Sequence, residues 1–206
     1  MRASPHADPA LAAARRVSLA GALAGGLLVL AAALLVSVDV LLRKLASVTL
    51  GGADELSGYA LAIGSAWSFA FVLLERGNVR IDALYQHLPR PLAALCDAGA
   101  VLSLVVFGGV VMWHGLGVVT QSWASHSHSN SALAVPLVVP QALWWAGWLW
   151  FVACALLLLA RTAARLTRRD WSGVAALMGA RSVAEEAEGE LANALAARRG
   201  AGPGAA

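Results

Sequence analysis

Side chains that could carry chemistry are few in this sequence and lie far apart. Cys96 and Cys154 stand alone rather than in a CxxC pair, so a thiol oxidoreductase has little support. His114 is the only histidine within an apolar run, whereas a membrane-bound haem needs axial ligands on facing helices. His126 and His128 have a spacing compatible with a metal, but without a neighbouring carboxylate or cysteine a solvated polar loop is the simpler interpretation. No nucleotide-binding or hydrolase motif is present, and we predict neither an enzyme nor a cofactor-binding chain.

A different kind of pattern is the charged stretch FVLLERGNVRIDAL, which directly follows an apolar run. Glu75 and Arg76 end that run, Gly77 and Asn78 are predicted to break the helix, and Asp82 falls in the first turn of a new one. Two interpretations fit the basic residues. Arg76 and Arg80 either anchor the chain to lipid headgroups, or they pair with Glu75, Asp82 or acids of a partner protein and so fix the connection in place.

The end of the first apolar run carries a similar motif. Asp39 and Arg43 are four residues apart with the acid first, which is the favourable order for an ion pair on a helix. The apolar stripe around them predicts a short helix along the membrane surface, built from Leu41, Leu42, Leu45 and Val48. A comparable stripe after the charged stretch predicts a second interfacial helix, built from Ile81, Leu84, Tyr85 and Leu88. Ordinary lipid anchoring, which needs no partner, is the alternative for both connectors.

The elements that must position these residues follow from composition. Among 206 residues 59% are hydrophobic and only 13% are charged, against roughly 25% charged residues in soluble domains. Four apolar runs are each long enough to cross a hydrocarbon core of about 30 Å as a helix, namely residues 17–42, 56–74, 92–119 and 136–160. We therefore predict an all-α integral membrane protein with a cytoplasmic N-terminal arm (1–16), a four-span domain (17–165) and a cytoplasmic tail (166–206).

The orientation follows from the basic residues. All of the 15 lysines and arginines except Arg43 and Lys44 fall on one side of the membrane if both termini share that side. The positive-inside rule then places both termini in the cytoplasm and residues 43–55 and 120–135 outside. The formal net charge of +3 reflects this topology, and without a basic soluble face nucleic-acid binding is disfavoured.

Contacts between helices in lipid favour small residues, because lipid is as apolar as leucine and gives helices no hydrophobic drive to associate. Gly21 and Gly25 form a GxxxG pattern in the first run, and the second run has a stripe of small residues, Ala60, Gly64 and Ser68. The fourth run places a bulky surface deeper than an aromatic belt requires, formed by Trp144, Trp145, Trp148 and Trp150. Those indoles predict a packed contact with another protein, with lipid-facing indoles as the alternative.

Several of these features together resemble one family. They are DVLLRK at the end of the first run, GNVRIDAL at the second turn, and ALAVPLVVPQALWWAGW, whose Pro136 and Pro140 lead into the fourth run. The resemblance is to the small transmembrane (DctQ-type) subunit of tripartite ATP-independent periplasmic (TRAP) transporters, and it covers residues 17 to 165. The chain departs from the family's usual second turn, since Glu75 stands in the place of an arginine and Asn78 where histidine is common.

The resemblance implies a scaffold subunit of a secondary importer in the bacterial inner membrane. In such a system a large membrane subunit holds substrate and sodium ions, and a periplasmic binding protein delivers an organic acid. The residues themselves agree, because the sequence shows no inverted repeat and no polar cluster at mid-depth, as a transporter acting alone would need. A non-catalytic anchor of another complex, such as a redox complex, and a four-span chaperone are the alternatives.

The tail lies outside the resemblance. From Trp171 onward an alanine-rich stretch carries several acids, a poor apolar stripe and a glycine-rich end. This composition predicts a mobile cytoplasmic extension that is partly helical or disordered.

Overall fold

The computed structural model describes residues 8–77 and 88–178, together with Leu191 and Leu195 as isolated positions. These residues form five helices: α1 (Pro9–Ala46), α2 (Ala53–Leu74), α3 (Arg90–Ala124), α4 (Val138–Thr167) and α5 (Trp171–Met178). The first four are each long and apolar enough to cross a membrane. Across the described residues the only extended pairing is an isolated bridge between His128 and Pro136. The predicted all-α architecture with four membrane-spanning helices is therefore confirmed.

Helix α1 is longer than the first predicted span at both ends. It begins at Pro9 because the Asp8 carboxylate accepts a hydrogen bond from the Ala10 N–H, as an N-cap does. It then continues to Ala46, where Ser47 adopts a left-handed conformation (φ 54°). The separate interfacial helix predicted after the first span is not seen, because no glycine or proline stands between residues 27 and 46 to end α1 earlier. The second predicted interfacial helix falls largely on residues 78–87, outside the described residues.

The closest approach of α1 and α2 occurs where both helices carry glycine. A Cβ atom added to Gly25 would lie 2.8 Å from the Gly64 Cα, so a side chain at either position would force the helices apart. Gly21 lies against the ring of Trp67, one turn away on the same face. The predicted small-residue patterns on these two helices therefore mark a real contact.

Helix α4 occupies the centre of the bundle and packs along both α2 and α3. Gly147 of α4 faces Ala66 of α2, where an added Cβ would meet the Ala66 Cβ at 2.9 Å. Gly108 of α3 faces Phe151 and Val152 of α4 at a similarly close distance. The long helices thus pack in the order α1, α2, α4, α3.

An aromatic cluster joins three of these helices around Trp148. Its ring lies 5.4 Å from that of Phe69 on α2, 5.9 Å from that of Phe107 on α3, and 5.6 Å from that of Phe151 on α4, measured between centroids. These tilted and edge-to-face geometries are the ones that aromatic rings prefer. Trp148 is only 8% exposed and forms part of the main apolar core.

Three other indoles connect helices through their N–H groups. Trp67 of α2 donates to the Leu143 carbonyl of α4 at 3.0 Å, and Trp145 of α4 donates to the Met112 carbonyl of α3 at 2.9 Å. Trp150 of α4 donates to the Ser18 hydroxyl of α1 at 2.9 Å, and Ser18 is fully buried. Each bond satisfies a polar group that lipid would leave unpaired.

The start of the tail is part of the fold rather than an extension from it. Helix α5 packs against α3 and α4 and buries Val174, Leu177 and Met178. Asp170 caps it by accepting hydrogen bonds from the Gly173 N–H (2.9 Å) and the Ser172 hydroxyl (3.0 Å), which lower the pKa of Asp170. The apolar stripe of the whole tail looked poor in sequence because it was judged over all of residues 171–206. Among the described residues of the tail, only this first segment forms a buried face.

We predict that Gly25→Leu separates α1 from α2, whereas Gly26→Leu does not. A side chain at residue 25 would overlap the α2 backbone, while nothing lies within 4 Å of a Cβ added at residue 26. Overpacking of this kind costs about 1 to 3 kcal/mol or more. Thermal unfolding in detergent should therefore show a lower midpoint for the Gly25 variant alone. Equal midpoints for the two variants would contradict this contact.

Candidate functional site

The residues singled out in sequence lie mainly at the two ends of the α1–α2 pair. At the end that includes Ala46, the predicted pairing of Asp39 with Arg43 is confirmed. The Asp39 carboxylate also accepts hydrogen bonds from the Leu50 N–H (2.7 Å) and the Thr49 hydroxyl (3.0 Å). Asp39 is only 2% exposed, so this acid is buried beneath the connector that it holds.

The connector between α1 and α2 reverses the chain through left-handed backbone conformations. Ser47 (φ 54°), Gly51 (φ 60°) and Gly52 (φ 111°) all have positive φ, which glycine adopts without strain. Between Ser47 and Gly52, the Thr49 hydroxyl and the Leu50 N–H both donate to the Asp39 carboxylate, which therefore bonds the middle of the turn. A carboxylate near the end of a membrane span thus has a structural explanation, because it supplies the acceptors that the turn's own backbone lacks.

The loop between α3 and α4 packs on this connector. Gly52 has φ 111°, which strains any other residue, and a Cβ atom added there would overlap the side chain of Leu133. Within the loop the Ser129 N–H donates to the Val135 carbonyl (2.9 Å) and the Leu137 N–H donates to the Ser127 carbonyl (3.0 Å). Connector and loop therefore form one surface, which we call the loop platform (residues 47–52 and 125–137).

Two predicted proline positions also belong to this end of the molecule. Pro136 takes part in the extended bridge with His128, and Pro140 is buried in the first turn of α4. His128 donates from Nδ1 to the His126 carbonyl at 2.7 Å, which leaves both rings exposed. Among residues 8–77 and 88–178, no three histidine, cysteine, aspartate or glutamate side chains gather as a metal site would require.

At the other end, the charged turn closes α2 by a motif that the sequence did not reveal. The Gly77 N–H donates to the Val72 carbonyl (2.9 Å) and the Arg76 N–H donates to the Leu73 carbonyl (3.3 Å), which is the Schellman pattern. The left-handed residue of this motif is Arg76 (φ 58°) rather than Gly77, the residue predicted to break the helix. An arginine in this conformation is uncommon and is held here by the turn's hydrogen bonds.

The partner that the structure gives to this turn comes from α1. The Arg15 Nε lies 3.7 Å from the Glu75 Oε1, and the Arg15 Nη2 donates to the Leu74 carbonyl at 3.4 Å. The sequence did not indicate this contact, because Arg15 looked like a topological cation ahead of the first span. The predicted roles of Arg80 and Asp82 lie outside the described residues.

The tryptophans of α4 have a different place from the one predicted. Trp148 is buried inside the chain, and Trp144 packs against it with the ring centroids 6.2 Å apart. Gly115 of α3 accommodates the Trp144 ring, which would lie 2.9 Å from an added Cβ. For Trp148, contacts within the bundle take the place of the expected contact with another protein, whereas Trp144 is only partly buried and its contact with a partner stays a prediction.

We predict that Asp39→Ala loosens the connector, because the Leu50 N–H, the Thr49 hydroxyl and Arg43 lose their shared acceptor. Hydrogen exchange at Leu50 should become at least about tenfold faster. Asp39→Asn keeps an acceptor for Leu50 and should fall between Ala and wild type. Asp54→Ala, at an exposed acid in the first turn of α2, is the matched control and should leave Leu50 unchanged. Unaltered exchange in Asp39→Ala would show that the carboxylate does not hold the turn.

Comparison with known proteins gives one clear relationship. No similar curated protein and no similar solved structure was found. The family model of the DctQ component of tripartite ATP-independent periplasmic transporters matches residues 17–169, which is most of the chain. The matched segment contains all of α2, α3 and α4, and all of α1 except its first turns. That family consists of transporter components rather than enzymes. The chain therefore belongs to the DctQ family of TRAP transporter components.

Proposed function

We propose that this protein is the small, scaffolding subunit of a TRAP-type secondary importer. In this proposal it supports a large membrane subunit during sodium-gradient-driven uptake of an organic acid, which a periplasmic binding protein delivers. The observation that carries the proposal is the family match over residues 17–169. Sodium and substrate would bind to the large subunit, and the small subunit would need no cofactor.

The structure supports a scaffolding role through the way its buried polar groups are used. Asp39 holds the connector, and Ser18 accepts the Trp150 indole N–H. These two buried polar groups thus bond other parts of the protein itself, whereas a transport site needs polar groups turned toward a path for substrate. This arrangement suits a rigid support.

The outer helices of the bundle offer wide apolar surfaces. Helices α1 and α3 are packed on fewer sides than α2 and α4, so most of their span remains exposed. Large exposed side chains line both, among them Leu23, Leu27 and Leu34 on α1 and Val106, Val110 and Trp113 on α3. Surfaces of this kind suit lipid and a large apolar partner together, as a support within a membrane complex requires.

The proposed location is the bacterial inner membrane with both termini in the cytoplasm. The distribution of basic residues supports this orientation, since among the lysines and arginines that the structure describes only Arg43 and Lys44 lie at the end of α1 next to the loop platform. The loop platform would then face the periplasm, and the charged turn at residues 75–77 would face the cytoplasm.

Single cysteines in a cysteine-free background test this orientation. We predict that cysteines at the exposed positions Arg16 and Arg168 react with an impermeant maleimide only after the membrane is opened. A cysteine at Asn130, in the loop platform, should react in intact cells. The reverse pattern of labelling would overturn the proposed orientation.

Reconstitution into proteoliposomes tests the function. We predict sodium-dependent uptake when the binding protein and both membrane subunits are present, and no uptake above empty vesicles with the small subunit alone. Omitting only the small subunit should reduce uptake severely, because the large subunit loses its support. Transport by the isolated small subunit, or full transport without it, would each rule out the scaffold role.

A further inference from the structure

A pocket lies between the start of α3 and the short helix α5, at the end of the bundle opposite the loop platform. It encloses about 370 Å³, within the range of about 300 to 1,000 Å³ that small-molecule sites occupy. The family match ends at residue 169, so the α5 wall of this pocket lies beyond the matched segment. The walls include Arg90, Ala94 and Asp97 of α3 and Trp171, Ser172 and Ala175 of α5.

Arg90 gives the pocket a positive charge that no described residue neutralises. It is exposed, and it stands two positions before the third apolar run, where the lipid headgroups begin. Within residues 8–77 and 88–178 its guanidinium forms no ion pair and no hydrogen bond. A guanidinium presents several N–H donors in one plane and matches the oxygens of a phosphate group. An anion that carries phosphate is therefore the ligand that suits this wall.

Trp171 adds a second feature of a headgroup site. Its side chain is partly buried, and its indole N–H donates to no other residue of the described chain. Indoles favour headgroup depth because the ring is apolar while its N–H is polar. Arg168 and Arg169 directly precede Trp171, are exposed, and form no ion pair with a described residue. The surroundings of the pocket thus favour a ligand with a net negative charge.

Asp97 limits where such an anion can bind. It is only 2% exposed, it lies about two turns along α3 from Arg90, and it has an interaction of its own. A carboxylate would repel a phosphate placed beside it. The phosphate therefore belongs at the mouth of the pocket, where Arg90 and Ser172 are exposed.

We propose that this pocket binds the phosphate headgroup of an anionic phospholipid, with Arg90 as its cation and α5 as its second wall. Phospholipid is always at hand, because four membrane-spanning helices place both ends of the bundle at headgroup level. The proposal goes beyond the transport role and depends neither on that role nor on the orientation of the chain, since headgroups border both faces of a membrane.

Lipid titration of the full chain, followed by native mass spectrometry, tests the charge. The chain should bind phosphatidylglycerol at least about threefold more tightly than phosphatidylcholine, whose phosphate is balanced by an ammonium group. Arg90→Gln should weaken phosphatidylglycerol binding by about three- to tenfold, since one cation near an anionic headgroup contributes about fivefold. Arg16→Gln, at an exposed arginine of α1 outside the pocket, is the matched control and should bind as wild type does. Equal affinities in the two variants would overturn the proposal.

A second pair of variants tests the pocket itself. Ala175→Phe fills the pocket and leaves every charge in place, so it should weaken phosphatidylglycerol binding by about threefold or more. Ala163→Phe adds the same ring to an exposed alanine of α4 that does not line the pocket, and it should have no effect. Unchanged binding in Ala175→Phe would mean that Arg90 attracts lipid without a built site, and the proposal would be wrong.

A competition experiment separates lipid from soluble phosphate. Glycerol phosphate at the concentration of the lipid should not displace phosphatidylglycerol, because it lacks the acyl chains that hold a lipid at the membrane boundary. If it displaces the lipid as well as unlabelled phosphatidylglycerol does, the pocket binds a soluble phosphate and the lipid proposal fails.

Discussion

The structure depends on one constraint, which is that lipid offers a helix neither a hydrophobic reason to pack nor a hydrogen-bond partner. Helices can gain from association only by approaching closely and by satisfying each other's polar groups. The Gly25–Gly64 contact meets the first requirement, because two helices without side chains at the crossing bring their backbones together. The indole N–H groups of Trp67, Trp145 and Trp150 meet the second, since each donates to a neighbouring helix.

This constraint also explains why α4 is central and why its tryptophans point inward. A large aromatic ring gains little by facing lipid at mid-depth, but inside the bundle it makes ring contacts, and the indole N–H groups of Trp145 and Trp150 find acceptors on neighbouring helices. Trp148 contacts rings on α2 and α3, while Trp150 reaches Ser18 on α1. One helix rich in tryptophan can therefore hold three others, and small residues such as Gly108 and Gly147 make room for it.

The sequence predicted the features that follow from local rules. Hydropathy located the four spans, i,i+4 spacing located the Asp39–Arg43 pair, and small-residue spacing located the α1–α2 contact. It failed where the answer depended on which helices lie side by side. The tryptophans of α4 look the same in sequence whether they face a partner or another span of the chain, and Arg15 lies 59 residues from the carbonyl it bonds. The sequence also predicted that Gly77 and Asn78 break the helix, but it did not indicate that Arg76, rather than a glycine, takes the left-handed conformation that ends α2.

Because α1 is longer than α2, charged side chains near both ends of α1 can contact the chain on either side of α2. Helix α1 has 38 residues and α2 has 22, so α1 extends past its neighbour at both ends. In each overhang one charged side chain contacts an end of α2. Asp39 bonds the connector that precedes α2, and Arg15 bonds the last carbonyl of α2 and the turn that follows it. The close glycine contact between them fixes the spacing of the two helices. A helix held at its middle by packing and at both ends by charge cannot shift along its neighbour without breaking one of these contacts, so together they define the register of α1 against α2.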